Sequence, residues 1–421
     1  MANLPLLTRG DAGARAGVVV VGAGLAGLRT VAELRAQGFS GAVTVVGAEG
    51  LPPYDRPPLS KEIFTRPEPV WLSGEGYGEL DALADRVLLG HRAVRLEAGD
   101  DGATVTVADG GRRERLEASA VVLATGAEPV RPAGWSSAAV LHTAADAAAL
   151  RARLVPGARV AVIGAGWIGA EIAGQAAAHG CAVTVVEAAP TPLHRQIGAD
   201  LGARTVPWYA AAGVELRCAS PVTAVVDGEV VLADGETLRA DVVLAAVGAR
   251  PATAWLDGTL PLTARGALPV DAAGRVAGAP APVRAVGDCA DMEVPGVGLV
   301  PGGHWDGALS HPTALVAGLL GADVPAPAAP YVFSTQLGHE LAMVGAPVPG
   351  ALLVLRGDAD GAWTALFVEP DAAGGRLTAG FTVDRPRDVG PLRKLLAGGA
   401  RPVLDLARAT DPAVPLRKAV A

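Results

Sequence analysis

The sequence predicts an α/β fold with two Rossmann-like dinucleotide-binding domains and a C-terminal α+β domain. At two separate places, an apolar run rich in β-branched residues leads into a Gly-x-Gly-x-x-Gly turn. Each turn continues into a helix-compatible stretch, a second apolar run and an acidic residue, which is the pattern of a dinucleotide-binding βαβ unit. The chain after residue 322 contains strand patterns but no such turn. We therefore expect two nucleotide-binding units followed by a unit of a different kind.

The first βαβ unit lies near the N-terminus. It consists of a strand at Val18–Val21, the glycines Gly22, Gly24 and Gly27, a helix from Leu28 to Gln37, a strand at Ala42–Val46 and the acid Glu49. The first glycine permits the tight turn, the second lets the backbone approach a pyrophosphate, and the third lets helix and strand pack closely. The free N–H groups of the helix N-terminus favour phosphate. The carboxylate of Glu49 would accept hydrogen bonds from ribose hydroxyls.

The second βαβ unit repeats this order. It consists of a strand at Arg159–Ile163, the glycines Gly164, Gly166 and Gly169, a helix from Ala170 to His179, a strand at Ala182–Val186 and the acid Glu187. Two units predict two dinucleotides, and a redox enzyme with FAD and a nicotinamide is the simplest interpretation; the alternative is one working site and one decayed copy. Glu187 favours NADH, because a carboxylate binds the ribose 2′-hydroxyl and repels a 2′-phosphate. Arg195, slightly downstream, keeps NADPH as the less favoured option.

A second internal repeat supports duplicated nucleotide domains. After each unit, two short strands are followed by an apolar strand that runs into a glycine. After the first unit these are Ala103–Val107, Glu114–Glu117 and the strand from Val121 into Thr125 and Gly126. After the second unit they are Glu229–Leu232, Thr237–Leu238 and the strand from Val242 into Gly248. A further strand from Val283 ends at Gly287-Asp288. A carboxylate at this position can bind ribityl hydroxyls, so Asp288 is a candidate flavin ligand.

The stretch from Pro53 to Lys61 follows the first unit. Proline fixes its own φ and restricts the residue before it, which predicts a stiff, extended run outside any regular element. Ser60 is expected to cap a helix that starts at Lys61. A stiff loop that carries Arg56 and Lys61 suits the phosphate or ring end of a large cofactor. The alternative is a surface loop kinked by proline.

These patterns predict three domains. They are a discontinuous FAD-binding domain at residues 1–125 and 249–322, an NAD(H)-binding domain at residues 126–248, and a C-terminal α+β interface domain at residues 323–421. A linker at Gly321–Pro330 separates the last domain. In that domain we expect strands at Tyr331–Val344, Leu352–Leu355, Trp363–Val368 and Leu377–Val383, and helices at Asp388–Leu396 and near Leu404.

Composition argues against several classes of protein. The 421 residues carry a formal net charge of −8, which disfavours a nucleic-acid partner. The three cysteines, Cys181, Cys218 and Cys289, lie too far apart for a disulfide framework or a Cys-x-x-Cys pair. The cysteines and histidines show no metal-ligand spacing, so no metal site is assigned. Met1 to Gly17 has no signal-peptide core and no run of 18 apolar residues occurs, which predicts a cytoplasmic protein with no membrane span.

Several short segments follow one another in a specific order. They are Pro53–Lys61, Trp71-Leu72, Leu123–Pro129, Gly164–Glu171, Val247–Pro251, Gly287–Ala290, His304-Trp305 and Asp384–Asp388. In this order they resemble the FAD-dependent, NADH-consuming ferredoxin reductases that serve bacterial cytochromes P450 and ring-hydroxylating dioxygenases. That family is similar in fold to glutathione reductase and apoptosis-inducing factor. The resemblance covers nearly the whole chain after about Gly17.

The resemblance implies a role for each matching residue. The ADP half of FAD would be held by Gly22, Gly24, Gly27 and Glu49, its pyrophosphate and isoalloxazine would lie at Arg56 and Lys61, and Asp288 would hold its ribityl chain. NADH would be held by Gly164, Gly166, Gly169 and Glu187. Further cofactor-binding residues would be Thr125, Gly126, Gly248, Gly287 and Trp305. Glu171 would lie near the nicotinamide, and Trp305 beside the flavin on the side that faces a ferredoxin-type iron–sulfur partner. The implied reaction is hydride transfer from NADH to the flavin, followed by two single-electron transfers. A monomer or a homodimer fits equally well.

Three of these side chains, Lys61, Glu171 and Trp305, are the candidates for catalysis. Lys61 is expected to pair with an acid such as Glu171 and to tune the flavin, unless the pair is a surface salt bridge of little energetic weight. Trp305 would shield the ring or conduct electrons, unless it only packs between domains. His304 and His311 could donate protons, although a histidine is more often structural or solvated.

The chain departs from the resembled family where electrons should leave. Before His304-Trp305, the usual Arg and Glu are replaced by Pro301 and Gly303. Downstream, an Asn and a Gln are replaced by Gly307 and His311. The usual Trp-Ser-Asp-Gln segment is replaced by Phe333–Gln336, in which Thr335 takes the place of the Asp. These changes leave flavin reduction by NADH as the expectation but put ferredoxin docking in question. Two alternatives stay open: an FAD-dependent oxidase or oxygenase with a small-molecule or carrier-bound substrate, and a slowly cycling flavin-bound scaffold or redox sensor.

Overall fold

The computed structural model describes Leu7, residues 17–358 and residues 361–421. Most of the segment from Met1 to Gly17, including the start of the predicted FAD-binding domain, lies outside the described residues. The strands are β1 Gly17–Val21, β2 Ala42–Gly47, β3 Tyr54–Asp55, β4 Val70–Trp71, β5 Arg86–Leu89, β6 Arg92–Gly99, β7 Gly102–Asp109, β8 Arg112–Ala118, β9 Ala120–Leu123, β10 Ala127–Pro129, β11 Arg159–Ile163, β12 Ala182–Val186, β13 Val214–Arg217, β14 Val222–Val226, β15 Glu229–Leu232, β16 Thr237–Arg239, β17 Val242–Ala245, β18 Ala249–Pro251, β19 Leu268–Val270, β20 Val283–Ala285, β21 Ala290–Val294, β22 Gly298–Val300, β23 Tyr331–Gln336, β24 His339–Gly345, β25 Leu352–Gly357, β26 Trp363–Asp371, β27 Gly374–Val383 and β28 Val403–Leu404.

The helices surround these strands. They are α1 Leu25–Ala36, α2 Pro58–Lys61, α3 Leu80–Leu83, α4 Ala144–Arg153, α5 Trp167–Ala178, α6 His194–Ala211, α7 Trp305–Leu319, α8 Pro386–Leu395 and α9 Leu406–Thr410. Helix α6 is interrupted at Gly198, where the backbone leaves helical geometry. No helix in the part of the chain that the structure describes is long and apolar enough to cross a membrane.

The first βαβ unit builds a five-stranded parallel sheet in the order β20-β9-β1-β2-β5. Alternate residues of β1 point to opposite faces, so that Val19 and Val21 enter one hydrophobic core while Val18 and Val20 enter another. Both faces of this central strand are buried, which explains why its sequence is continuously apolar rather than alternating. The predicted strands of this unit are confirmed, and helix α1 begins three residues earlier than predicted.

The second βαβ unit builds a four-stranded parallel sheet in the order β13-β12-β11-β17. Its central strand β11 also divides its residues between two cores, one with Val160 and Val162 and the other with Ala161 and Ile163. Each unit is followed by a three-stranded antiparallel sheet, β6-β7-β8 after the first and β14-β15-β16 after the second. The predicted β segments are confirmed, and β6 and β14 are additions that the sequence did not predict.

The third glycine of each fingerprint is required by a backbone contact. A Cβ atom on Gly27 would lie 1.9 Å from the carbonyl oxygen of Gly22, and one on Gly169 would lie 2.0 Å from that of Gly164. Such distances are far inside van der Waals contact, so only glycine lets the helix lie this close to the turn. The turn glycines Gly22 and Gly164 also have positive φ angles of 122° and 105°.

The C-terminal part forms a six-stranded antiparallel sheet in the order β23-β24-β27-β26-β25, with β28 paired to β27. One prediction here is wrong. Tyr331–Val344 is not one strand but a hairpin, because Leu337 and Gly338 adopt positive φ angles of 52° and 86° and reverse the chain. The helix predicted near Leu404 is confirmed as α9, which starts at Leu406, while Leu404 itself lies in strand β28 and pairs with Gly375.

The strands of the two parallel sheets fall within the residue ranges that the sequence assigned to the FAD-binding and NAD(H)-binding domains. The six-stranded antiparallel sheet of strands β23 to β28 falls within the predicted C-terminal domain. The domain boundaries themselves stay a prediction. Strand β23 of the C-terminal sheet contacts helices α5, α7 and α2, and thereby joins all three predicted domains.

Candidate active site

The Pro53–Lys61 stretch is more regular than the sequence predicted. Tyr54 and Asp55 form strand β3, which pairs with β4, and residues Pro58–Lys61 form helix α2. Pro57 has helical dihedrals, φ −52° and ψ −37°, and starts this helix, because the fixed φ of proline fits a first helical turn. The predicted Ser60 cap is therefore wrong: Ser60 lies inside the helix, and its hydroxyl donates to Oε2 of Glu171 at 2.5 Å.

The predicted pairing of Lys61 with Glu171 is confirmed. Lys61 Nζ lies 2.6 Å from Oε1 of Glu171, and Ser334 Oγ donates to the same oxygen at 2.5 Å. Only 3% of Glu171 is exposed, so the alternative of a surface salt bridge is wrong. A carboxylate removed from water in this way needs a counter-charge and hydrogen-bond donors to stay ionised. The pair lies where helix α2, helix α5 and strand β23 meet.

Trp305 is held from two sides. Its indole N–H donates to Oδ1 of Asp55 at 2.7 Å, and its ring meets that of Phe333 edge-on with 6.2 Å between centroids. Burial raises the pKa of Asp55, while the hydrogen bond from Trp305 acts in the opposite direction by stabilising the carboxylate. Strand β3 and strand β23 thus fix the orientation of this indole at the start of α7.

Glu49, predicted for the ADP half of FAD, lies against two side chains of the Pro53–Lys61 stretch. Tyr54 donates its hydroxyl to Oε1 of Glu49 at 2.7 Å, and Arg56 lies 3.2 Å from Oε2 of the same carboxylate. Arg56 also donates to the carbonyl oxygen of His142. Burial raises the pKa of Tyr54 to about 12, so that its hydroxyl keeps its proton at neutral pH. Glu49 is therefore oriented by two donors from the Pro53–Lys61 stretch.

The groove beside the first fingerprint fits a bound FAD. Gly24 is the N-cap residue of helix α1, and no side chain there accepts a hydrogen bond from the free N–H groups of the first turn. A Cβ atom on Gly24 would have no atom within 4 Å. An uncapped helix N-terminus with open space in front of it suits a pyrophosphate. The Oγ1 atom of Thr125 is buried with no hydrogen-bond partner among the described residues, as expected if the cofactor supplies one.

Asp288 lies at the end of strand β20, where the sequence predicted it. Burial raises the pKa of its carboxyl, while a hydrogen bond from the backbone N–H of Gly303 acts in the opposite direction. The two neighbouring turn glycines, Gly126 and Gly287, have positive φ angles of 73° and 78°. The carboxyl of Asp288 therefore lies beside two turns of the chain, in a position that fits hydrogen bonds from the hydroxyls of a ribityl chain.

A cleft of about 390 Å³ lies beside the second fingerprint. Its border includes Gly164, Gly166, Glu187, His194, Arg195 and Gly248. The two carboxylate oxygens of Glu187 accept backbone N–H bonds from Ala165 and Ala189, each at 2.7 Å, which fixes the carboxylate next to the turn. Gly166 caps helix α5 without a side-chain bond. These residues fit a pyridine dinucleotide, with the ribose at Glu187 and the pyrophosphate at α5.

The altered segment 301–311 encloses a small cavity. Pro301, Gly303, His304, Gly307 and His311 contribute to its wall, and its volume is about 40 Å³. The ring of His311 lies over Gly307, where a Cβ atom would come within 3.1 Å of the ring. Water occupies about 30 Å³ per molecule in the liquid, so this cavity has room for very few water molecules.

The two histidines of this cavity are neutral at neutral pH. Burial lowers the pKa of His304, and burial with the nearby His304 lowers that of His311 to about 4. Nδ1 of His304 is buried with no hydrogen-bond partner among the described residues. An imidazole whose pKa is lowered carries almost no acidic proton at neutral pH, which favours the structural interpretation of both side chains.

An ion pair joins helix α7 to helix α8. Arg393 lies 2.7 Å from Oδ1 of the buried Asp306, and its guanidinium lies 4.7 Å from the centroid of the Tyr331 ring. Asp306 directly follows Trp305, so the pair anchors the end of α7 that carries the indole. Neither this pair nor the contacts of Ser334 and Gln336 could be predicted from the sequence, because partners distant in the sequence leave no local pattern.

The comparisons with known proteins agree with this geometry. A model described as pyridine nucleotide-disulphide oxidoreductase matches residues 16–307 of the chain. The chain belongs to this family. A second model, described as reductase C-terminal, matches residues 331–420, so the C-terminal sheet of this oxidoreductase is also of a known kind. The predicted family resemblance and the predicted FAD and NADH cofactors are confirmed at the level of the family.

Relatives and solved structures match this oxidoreductase over nearly its whole length. It is 34% identical to the ferredoxin–NAD(+) reductase component of an anthranilate 1,2-dioxygenase system from Burkholderia cepacia, over 95% of this chain and 98% of that protein. The crystal structure of Fdr9 is 38% identical, with a TM-score of 0.85 over 95% of this chain and 99% of that one. The putidaredoxin reductase–putidaredoxin complex is 26% identical, with a TM-score of 0.82 over 96% and 97%. The predicted fold class is confirmed.

The fingerprint geometry predicts different outcomes for two glycine variants. Gly27→Ala should lower the free energy of unfolding by about 3 kcal/mol or more, because the backbone cannot yield to the new methyl group. Gly24→Ala, with φ −81° and open space around it, should unfold like the wild type but retain little FAD. Denaturant unfolding of the FAD-stripped proteins and the flavin absorbance of the purified proteins measure the two effects. Equal FAD retention in Gly24→Ala and the wild type would contradict the pyrophosphate assignment.

The cavity predicts a histidine-dependent loss of stability in acid. An unfolded histidine takes up a proton near its ordinary pKa, whereas folded His311 does so only near a pKa of about 4. The unfolded state therefore binds more protons between these values, and stability falls as the pH falls through this window. Between about pH 7.5 and pH 5 this costs up to about 2 kcal/mol. His311→Gln should lose less stability over that range in guanidinium unfolding, and parallel pH curves for the two proteins would refute the assignment.

Proposed function

We propose that this protein is an NADH-dependent flavoprotein reductase that passes electrons from NADH through FAD to a ferredoxin-type iron–sulfur protein, which feeds a cytochrome P450 or a dioxygenase. The buried Lys61–Glu171 pair carries this proposal, because it joins the Pro53–Lys61 stretch of the flavin side to helix α5 of the nicotinamide side. The relatives support it by their names: one is the ferredoxin–NAD(+) reductase component of a dioxygenase system, and one solved structure holds a reductase covalently linked to putidaredoxin.

Bound FAD supplies the conversion of one two-electron hydride into two single electrons. The chain supplies binding and orientation. The uncapped N-termini of α1 and α5 would hold the two pyrophosphates, and Glu49 and Glu187 the two adenosine riboses. Lys61 and Glu171 would lie at the hydride-transfer position, where a fixed charge pair keeps the nicotinamide and flavin rings in register. Trp305, held by Asp55, would cover the flavin on the side of electron exit.

The cysteine content separates this protein from a disulfide reductase. Cys181, Cys218 and Cys289 are all free, and burial raises the pKa of the Cys289 thiol. The Pro53–Lys61 stretch contains no cysteine that could receive electrons from a flavin. An acceptor outside the chain is therefore required, and an iron–sulfur protein is the acceptor that the relatives' names suggest.

The second candidate is an FAD-dependent oxidase or oxygenase that acts on a small-molecule or carrier-bound substrate. The cavity at residues 301–311 is the observation in its favour. At about 40 Å³, however, it is much smaller than the roughly 300–1,000 Å³ typical of ligand pockets. The size of the cavity favours the reductase. A cytoplasmic location, the three domain ranges and a monomeric or homodimeric state stay predictions.

The proposal is tested by following NADH oxidation with cytochrome c as the final acceptor. We expect rapid bleaching of the flavin by stoichiometric NADH and a more than tenfold faster cytochrome c reduction when a ferredoxin is added. Oxidation by oxygen alone serves as the baseline. Rapid flavin reduction without acceleration by any ferredoxin would favour the oxidase, and absence of flavin reduction would leave only the slowly cycling scaffold or sensor.

The ribose assignment predicts the kinetics of Glu187→Ala. Loss of hydrogen bonds to a charged acceptor costs about 1.5–3 kcal/mol, so KM for NADH should rise about tenfold or more with little change in kcat. Glu229→Ala is a suitable control, because Glu229 forms an exposed pair with Arg239 at 2.8 Å on the same domain. Steady-state rates with ferricyanide as acceptor measure both. An unchanged KM in Glu187→Ala would refute the assignment.

A further inference from the structure

Two buried polar side chains of the C-terminal sheet have no role in the reaction as described so far. Ser334 and Gln336 lie on strand β23 and are 2% and 3% exposed. Ser334 donates its hydroxyl to Oε1 of Glu171 at 2.5 Å, and the side-chain amide of Gln336 donates to the Ser334 oxygen at 3.0 Å. A hydrogen-bonded chain therefore runs from the C-terminal sheet to the carboxylate that pairs with Lys61.

The chemistry of the side chains decides which group donates and which accepts in each of these hydrogen bonds. The Gln336 amide nitrogen can only donate, so the Ser334 oxygen accepts from it and points its single O–H elsewhere. The remaining acceptor within reach is Glu171, which also receives Lys61 on the same oxygen and Ser60 on the other. Hydrogen bonds to an ionised acceptor are the strong ones. Ser334 is therefore placed to fix the rotation of the carboxylate.

Packing holds strand β23 close to helix α5. Gly174 lies three residues after Glu171, on the same face of the helix. A Cβ atom on Gly174 would lie 3.1 Å from the backbone nitrogen of Leu337, at the end of β23, so glycine lets strand and helix approach this closely. Phe333, beside Ser334, places its ring 5.2 Å from Nζ of Lys61. The strand thus contacts both members of the Lys61–Glu171 pair.

We propose that Ser334, oriented by Gln336, is a positioning residue for hydride transfer. Through it, the C-terminal domain fixes the orientation of Glu171 and thereby the position of Lys61. The step that it serves moves one hydrogen nucleus with two electrons from NADH to the bound flavin and releases NAD⁺; Ser334 exchanges no proton in this step. The inference rests on the proposed function, in which NADH reduces the flavin.

The experiment compares single-turnover flavin reduction by saturating NADH in the FAD-bound wild type and in Ser334→Ala. Loss of one hydrogen bond to the carboxylate should slow reduction about tenfold. The dissociation constant of NAD⁺, titrated without turnover, should change less than about twofold, because Ser334 acts on orientation and not on nucleotide binding. Ser334→Thr keeps the hydroxyl and should reduce within about threefold of the wild type.

Thr378→Val is the matched control. Thr378 is a buried hydroxyl of the same sheet and donates to the carbonyl oxygen of Phe367 at 3.1 Å, away from the ion pair. This variant also loses one buried hydrogen bond but should reduce its flavin at the wild-type rate. If Thr378→Val slows reduction as much as Ser334→Ala, general loosening of the sheet explains the effect and the inference is overturned.

A double variant separates positioning from general stability. If Ser334 acts through Lys61, the rate of flavin reduction in Lys61→Ala/Ser334→Ala should equal that in Lys61→Ala, whereas independent effects would multiply to a further tenfold loss.

Should Ser334→Ala fail to fold, Gln336→Met takes its place. This variant retains the Ser334 hydroxyl without its orienting donor and should slow flavin reduction about threefold.

The possible results distinguish the inference from the proposed function. Wild-type rates in Ser334→Ala and Gln336→Met, with rapid reduction of the wild type, would overturn the role of Ser334 and leave the reductase intact. Failure of NADH to reduce the wild-type flavin would overturn both.

Discussion

The buried carboxylate of Glu171 is the constraint on which the site depends. An uncompensated charge at this depth would be strongly destabilising, and its donors come from chain segments 110 and 163 residues away. Helix α2, helix α5 and strand β23 therefore cannot shift independently without uncovering the charge. Trp305 depends on the same frame, since Asp55 lies just before α2 and Phe333 lies next to Ser334. One interaction thus aligns the flavin side, the nicotinamide side and the C-terminal sheet.

A steric constraint sets the two nucleotide grooves in a different way. In each fingerprint the carbonyl oxygen of the first glycine occupies the space where a side chain of the third would lie. The turn, the helix and the strand are therefore fixed by residues only a few positions apart, and the helix N-terminus is left open toward the ligand. Because this constraint is local, it is written in the sequence as a recognisable spacing. The Glu171 junction has no such signature, since its donors lie on helix α2 and strand β23, more than 100 residues away from it in the sequence.

This difference explains how much could be predicted from the sequence. Both parallel sheets follow from patterns within about thirty residues, and the Lys61–Glu171 pairing followed only because a resemblance placed both residues at one site. Ser60 was assigned to a helix cap from its neighbours, whereas its actual partner is a carboxylate 111 residues away. The single strand predicted at Tyr331–Val344 is a hairpin instead, because Leu337 and Gly338 adopt positive φ angles and reverse the chain. A contact between distant segments decided the case of Ser60, and a turn at Leu337 and Gly338 decided the case of the hairpin.

The altered segment 301–311 changes the protein surface more than the flavin chemistry. Replacement of an Arg and a Glu by Pro301 and Gly303 removes two charged side chains, yet the adjoining end of α7 is still anchored, because Asp306 pairs with Arg393 of α8. The space that results is small and contains neutral imidazoles, which neither bind a large substrate nor supply a proton readily. The proposed hydride-transfer site at Lys61 and Glu171 does not include these residues. The substitutions therefore change the surface charge that an acceptor meets at Trp305, the proposed side of electron exit. Reduction of the flavin by NADH depends on the part of the chain that retains its family pattern.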